Sequence, residues 1–171
     1  MKRIIFFVLL SSLSFFTYSQ SQYEVIKDND GSKILKGIIS RDLIDTDPAF
    51  KWYNQNFKSY DASKEMATRF AKHKDSIQLV VFLGTWCEDS HVIIPKLFPF
   101  LDAAGFSNDR LTVIGVDRNK KTISHLTDAF NIINVPTVIV MKDGKEMGRV
   151  VEYGRYGMVE NDLADIVDPK K

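Results

Sequence analysis

Five consecutive apolar residues, Leu79 to Leu83, lead directly into Trp86-Cys87-Glu88-Asp89-Ser90. An apolar run without alternation reads as a strand covered on both faces, which requires helices above and below a sheet. The stretch from about Asp89 to Ala104 then reads as a helix, broken or kinked around Pro95 and Pro99. Cys87, the only cysteine of the chain, therefore falls where a buried strand ends and a helix begins. A helix N-terminus presents unpaired N–H groups and the positive end of its dipole, and both favour thiolate over thiol. Three residues on, where a dithiol site would carry its second sulfur, stands Ser90. The junction has the form of a redox site reduced to one sulfur.

The rest of the chain completes the layers. Leu111 to Val116 reads as a second buried strand ending in Asp117, and Thr122 to Phe130 as helical. Val138–Met141 and Met147–Val151 are strands joined through Lys142-Asp143-Gly144-Lys145, a strong hairpin signal, and a last helix covers Val159 to Val167. This order predicts a parallel pair followed by an antiparallel hairpin in one sheet, with helices on both faces. Upstream, Tyr23–Ile26 and Ile34–Ile39 read as short strands around Asp28-Asn29-Asp30-Gly31. That acidic turn lacks the second half of a calcium loop's ligand spacing and its distal glutamate. Asp47-Pro48 predicts a helix start, with Phe50, Tyr53 and Phe57 on one stripe. A second helix is expected from about Asp61 to His73, turning Met66, Phe70 and Ala71 inward.

Lys2 and Arg3, the apolar run from Ile4, and the small or polar residues around Thr17, Ser19 and Gln20 follow the order of a secretory signal peptide. The expected organisation is thus a leader over 1–19, an extension of a short hairpin plus helices over 20–76, and a catalytic-type domain over 77–168. The chain would be exported to a periplasm, cell envelope or extracellular space, with no stable membrane insertion once the leader is removed. The whole chain carries 23 basic and 22 acidic residues, and loss of Lys2 and Arg3 leaves it one charge negative. That balance gives no reason to expect nucleic acid as a partner. One cysteine allows no internal disulfide, so stability must come from the core.

In this order and spacing the residues resemble the thioredoxin-like family, over roughly Ile77 to Val167. Trp86-Cys87-x-x-Ser90 follows the first central strand, and Pro95 lies where the family has its helix-kinking proline. Val135-Pro136-Thr137 stands where the family has its cis-proline, and Met141-Lys142-Asp143-Gly144 matches the hairpin after it, with Gly154 beyond. The resemblance implies a three-layer α/β/α sandwich with a mixed central sheet. The family's resolving cysteine is Ser90 here, and its buried acid falls at Val81. That acid helps deprotonate the resolving cysteine, so the two losses belong together.

On this footing Cys87 is the expected nucleophile of thiol–disulfide exchange, with Ser90 beside it to hydrogen-bond the thiolate. The backbone of Val135 before Pro136 is expected to pair with an extended client, and Trp86 to form an apolar platform beside the sulfur. Clients would be proteins or low-molecular-weight thiols and disulfides, and a Cys87-linked homodimer is an allowed assembly under oxidising conditions. With no internal resolving thiol, isomerase-like or monothiol transfer fits better than net reduction. Two other readings stay open: a non-catalytic peptide- or protein-binding module, and a covalent partner of one dedicated client. His91 is placed to form an imidazolium–thiolate pair with Cys87, while Glu88 and Asp89 oppose the dipole. Cys87 and His91 would need two more ligands to hold a metal, so neither metal nor cofactor is expected. Arg118, Lys120 and Lys121 read as a solvated face.

Overall fold

Side chains alternate across a strand, and β3 (Gln78–Leu83) uses both sides. Leu79, Val81 and Leu83 join one buried cluster, while Phe82 and the partly buried Val80 join another on the far side of the sheet. The computed structural model describes residues 22–57 and 60–169. Its six strands form one sheet in the order β1-β2-β4-β3-β5-β6. These are β1 (Tyr23–Lys27), β2 (Lys33–Ile39), β4 (Leu111–Gly115), β5 (Thr137–Lys142) and β6 (Lys145–Val151) around β3. β3 and β4 run parallel, and every other neighbouring pair is antiparallel.

The thick face lies under α2 (Lys51–Phe57), α3 (Lys64–Ala71), α4 (Glu88–Ala103) and α6 (Val159–Val167). There Phe70 meets Phe100 at 5.3 Å between ring centroids, Tyr53 meets Phe98 at 5.9 Å, and Leu97, Phe98 and Leu163 are wholly buried. The other face is thin. Phe82, Ile114, Val116, Val135 and Ile139 form its buried cluster, with Leu126 and Phe130 packed against it. The mixed sheet and two-sided covering are those expected from the apolar runs.

Three local differences have physical reasons. Arg41–Thr46 forms a short helix, α1, that its polar sequence does not announce, since Ile44 alone of it is buried. α4 runs unbroken through Pro95 and Pro99. The expected helix over Thr122–Phe130 is a 3-10 turn, Ile123–His125, followed by only Leu126–Ala129 as α5, because Ser124 and His125 take left-handed backbone at φ 56° and 53°.

The segment before β3 is built into the same sheet and core. β2 lies against β4, pairing Gly37 with Gly115 and Ile39 with Val113. A Cβ at Gly115 would collide with the Leu35 carbonyl, so glycine there admits the β2 backbone. Ile44, Phe50 and Tyr53 enter the thick-face cluster. Among the described residues no helix is long and apolar enough to cross a membrane. The leader expected over 1–19 lies outside the described residues.

Candidate functional site

Cys87 is the N-cap of α4, in extended backbone at φ −95° and ψ 122°, and its carbonyl accepts the His91 N–H at 3.0 Å. The helix therefore starts at the sulfur-bearing residue, as its place after a buried strand implies. The side chain does not cap the helix. It is half-buried against the thin-face cluster, and its S–H donates to the Val135 carbonyl at 3.2 Å. The Val135–Pro136 peptide bond is cis, and Glu152 N–H donates to the Pro136 carbonyl at 2.8 Å. Cys87, Val135 and Pro136 are thus brought together from elements far apart in sequence.

Ser90 is wholly buried, and its Oγ accepts the Gly84 N–H at 3.2 Å. The expected hydrogen bond from Ser90 to the Cys87 sulfur is not the one made. The hydroxyl sits one helical turn inward, where it serves the end of β3. The imidazolium–thiolate pair is likewise replaced. His91 stacks on Trp52, with centroids 4.3 Å apart and planes at 18°, and its Nε2 lies 2.8 Å from the Thr85 carbonyl. A carbonyl only accepts, so Nε2 carries the proton. Asn56 Nδ2 donates to the His91 carbonyl at 2.9 Å.

Trp86, expected as an apolar platform beside the sulfur, is partly buried and packs with Cys87 on the thin-face cluster. Its Nε1–H donates to the Val116 carbonyl at 2.9 Å, and the Arg118 guanidinium lies 5.2 Å from a ring centroid. Gly84 lies under the ring, where a Cβ would come within 2.8 Å of Trp86 Cε2. Arg118 is itself held by Asp28 in the β1–β2 turn, Nε to Oδ2 at 2.6 Å. The basic cluster read as a solvated face thus reaches the site.

Other site residues carry little or no local signal. Thr85 is buried, and its Oγ1 accepts the Leu35 N–H and donates to the Lys33 carbonyl, both at 3.2 Å. Tyr153 OH donates to Asp89 Oδ1 at 2.9 Å, and that hydrogen bond, with some burial, pushes the phenol above its usual pKa. Tyr153 therefore keeps its proton and holds Asp89 at the start of α4. Ile133, 78% exposed, is displayed two residues before Val135. An aromatic beside Gly154 after the last strand was a faint cue for Tyr153; Thr85 and Trp52 had none, because their partners are long-range.

The groups around the sulfur are the Val135 carbonyl, which takes its S–H, the N-terminus of α4, and Glu88 and Asp89 in the first turn of that helix. The arrangement offers a single accessible sulfur against an irregular backbone turn, with no second thiol within the chain.

The family model described as thioredoxin matches residues 45–160. The chain belongs to the thioredoxin family. The match begins well before Ile77, taking in α2 and α3, so the family unit is larger than the motifs alone suggested. Among curated relatives, a thioredoxin of Alicyclobacillus acidocaldarius is 32% identical over 95 residues, covering 54% of this chain and 84% of that one. A thioredoxin of Staphylococcus aureus is 29% identical over 99 residues, covering 57% and 86%. Among solved structures, a protein of unknown function from Pseudomonas aeruginosa has a TM-score of 0.49 at 16% identity, covering 68% of this chain and 80% of that one. The family match establishes the thioredoxin fold, and thiol–disulfide exchange is the family's general chemistry.

Proposed function

We propose that this thioredoxin-family protein performs thiol–disulfide exchange through Cys87 as a lone nucleophile, in isomerase-like or monothiol transfer. The observation that carries the reading is the pairing of an accessible Cys87 with the Val135 carbonyl at 3.2 Å, while position 90 holds a buried serine bonded to the strand end. The thiolate attacks one sulfur of a client disulfide, R–S–S–R′, forming Cys87–S–S–R and releasing R′–S⁻. A second thiol, on the client or free in solution, then attacks the mixed disulfide and returns Cys87 as thiolate. No net electrons stay with the protein. Deprotonation of Cys87 also frees the Val135 carbonyl to accept an N–H from an extended client lying beside Pro136, with Ile133 as apolar contact.

The order of positive, apolar and small residues at the start of the chain supports work outside the cytoplasm, in a periplasm, envelope or extracellular space. N-terminal sequencing of the protein recovered from an envelope fraction tests this; an intact Lys2-Arg3 start in all of it overturns it.

The exchange reading is tested by mixing the purified protein with a peptide disulfide and finding the adduct by mass spectrometry. A one-to-one mixed disulfide on Cys87 is expected, removed by added thiol and absent from Cys87→Ser. The binding-module reading is favoured by one observation, that the S–H is already bonded to the Val135 carbonyl within the chain. It predicts slow alkylation of Cys87 and client association that survives Cys87→Ser.

A further inference from the structure

Resting on the exchange reading, we infer that Lys120 makes the Asn134 side of the site a recognition point for clients that carry a carboxylate beside the attacked cysteine. The loop from Asp117 to Lys121 follows β4 and is held rigidly: Asp117 N–H donates to the Lys121 carbonyl at 2.9 Å, and Asp117 Oδ1 accepts the N–H groups of Asn119 and Lys121. Within it Lys120 takes left-handed backbone at φ 57°, a conformation uncommon for a side-chain-bearing residue, and donates its N–H to the Asp117 carbonyl at 2.8 Å. That turn aims the lysine at the loop before Pro136. Nζ donates to Asn134 Oδ1 at 3.1 Å. Asn134 directly precedes Val135, whose carbonyl receives the Cys87 S–H.

The charges around this point are unequal in a way that singles Lys120 out. Asp117 is paired with Lys36 at 3.0 Å, Arg118 with Asp28 at 2.6 Å, and Lys121 with Asp128 at 2.5 Å. Lys120 alone of the loop's cations meets a neutral amide and, among the described residues, no carboxylate. An ammonium has three donors, and Asn134 takes one. Arg118, half-exposed over Trp86, is already paired with Asp28 and adds no free charge. The acids nearest the site are Glu88 and Asp89 at the start of α4, the latter occupied by Tyr153, and Glu152, whose backbone is bonded to Pro136 on the β6 side. A client laid along Val135 would therefore find an unneutralised cation pinned at one end of its track. Lys120 takes no part in bond exchange; it selects by charge, and such selection acts on the encounter and weakens with salt.

The test compares second-order rates of mixed-disulfide formation on Cys87 for two peptides alike except for an Asp or an Asn next to the target cystine. The acidic peptide should react about fivefold faster at low salt, the ratio falling toward about one at high salt. Lys120→Gln should bring the ratio to about one, and Lys120→Arg should keep most of it. Equal rates in the unaltered protein, or a ratio that survives Lys120→Gln or high salt, would overturn the inference while leaving exchange intact. The salt series needs no variant, so misfolding of Lys120→Gln cannot shelter the idea. If neither peptide gives a Cys87 adduct, the exchange reading fails and this inference fails with it.

Discussion

The two faces of the sheet are covered to different depths. On one, Leu79, Val81, Leu83, Val138 and Val140 disappear beneath four helices, three of which interlock through aromatic rings. On the other, Phe82, Ile114, Val116, Val135 and Ile139 lie beneath a four-residue helix and loops, and Trp86 and Cys87 pack onto their edge. A sulfur that is to exchange with a client needs approach from solvent, and the thin covering leaves Cys87 half-buried rather than enclosed. The rigidity that holds it in place comes through the sheet from the thick one. Stability and reactivity should therefore respond to different residues.

The largest expected effect is Cys87→Ser, which should abolish covalent adducts while leaving the unfolding free energy in urea within about 1 kcal/mol of the parent. A large loss of stability would tie the sulfur to the core and break the division. On the thick face, Leu97→Ala should lose about 3–5 kcal/mol by chemical denaturation, while the folded protein alkylates at Cys87 at the parental rate. A changed rate would mean that the helical core tunes the site directly. Ser90→Cys should raise reduction of the insulin disulfide about tenfold or more, because a second sulfur expels the client. No gain from a folded variant would refute position 90 as the place of resolution.

Thr85→Val keeps shape but removes the hydroxyl that joins the site loop to β2. It should cost about 1–3 kcal/mol, since the Leu35 N–H is left without its acceptor, and should alter the rate of Cys87 alkylation. An unmoved rate would assign Thr85 to stability alone. The smallest effect concerns acid. Asp47 lies below the usual carboxylate range through Lys33 and the Ala49 N–H. Burial raises Asp117, but its bonds to the Lys121 N–H, Lys36 and the Asn119 N–H outweigh this and lower it. A carboxyl depressed in the folded state stabilises above its unfolded pKa, and the gain is lost as pH falls through the folded value. Both acids grip lysines of β2, so hydrogen exchange should show β2 loosening first as pH drops below about 4. Loosening of α4 before β2 would contradict this.

What the sequence makes legible follows from how local each signal is. β3 and α6 are bounded correctly because an unbroken apolar run and a helical stripe each mark their own ends. The Asp143-Gly144 hairpin is equally local. The place of β2 beside β4 is not, since strand pairing across so much chain leaves no trace except Gly115. At the site, Cys87 and Ser90 declare themselves by spacing, whereas the directions in which Ser90, His91 and Trp86 turn depend on Gly84, Trp52 and Arg118, residues that only the closed sheet supplies.

The bond from Leu35 to Thr85 spans 50 residues of chain. The loop that carries the sulfur is therefore complete only after β2 has come to rest against β4, late in any order of assembly that begins with local contacts. Until then the thiol is an ordinary one on an unfinished chain. With no second cysteine, that immature chain has nothing of its own to cross-link to, and an erroneous internal bridge is impossible. On the exchange reading the site arrives with the finished fold, and the fold can be reached without passing through oxidation.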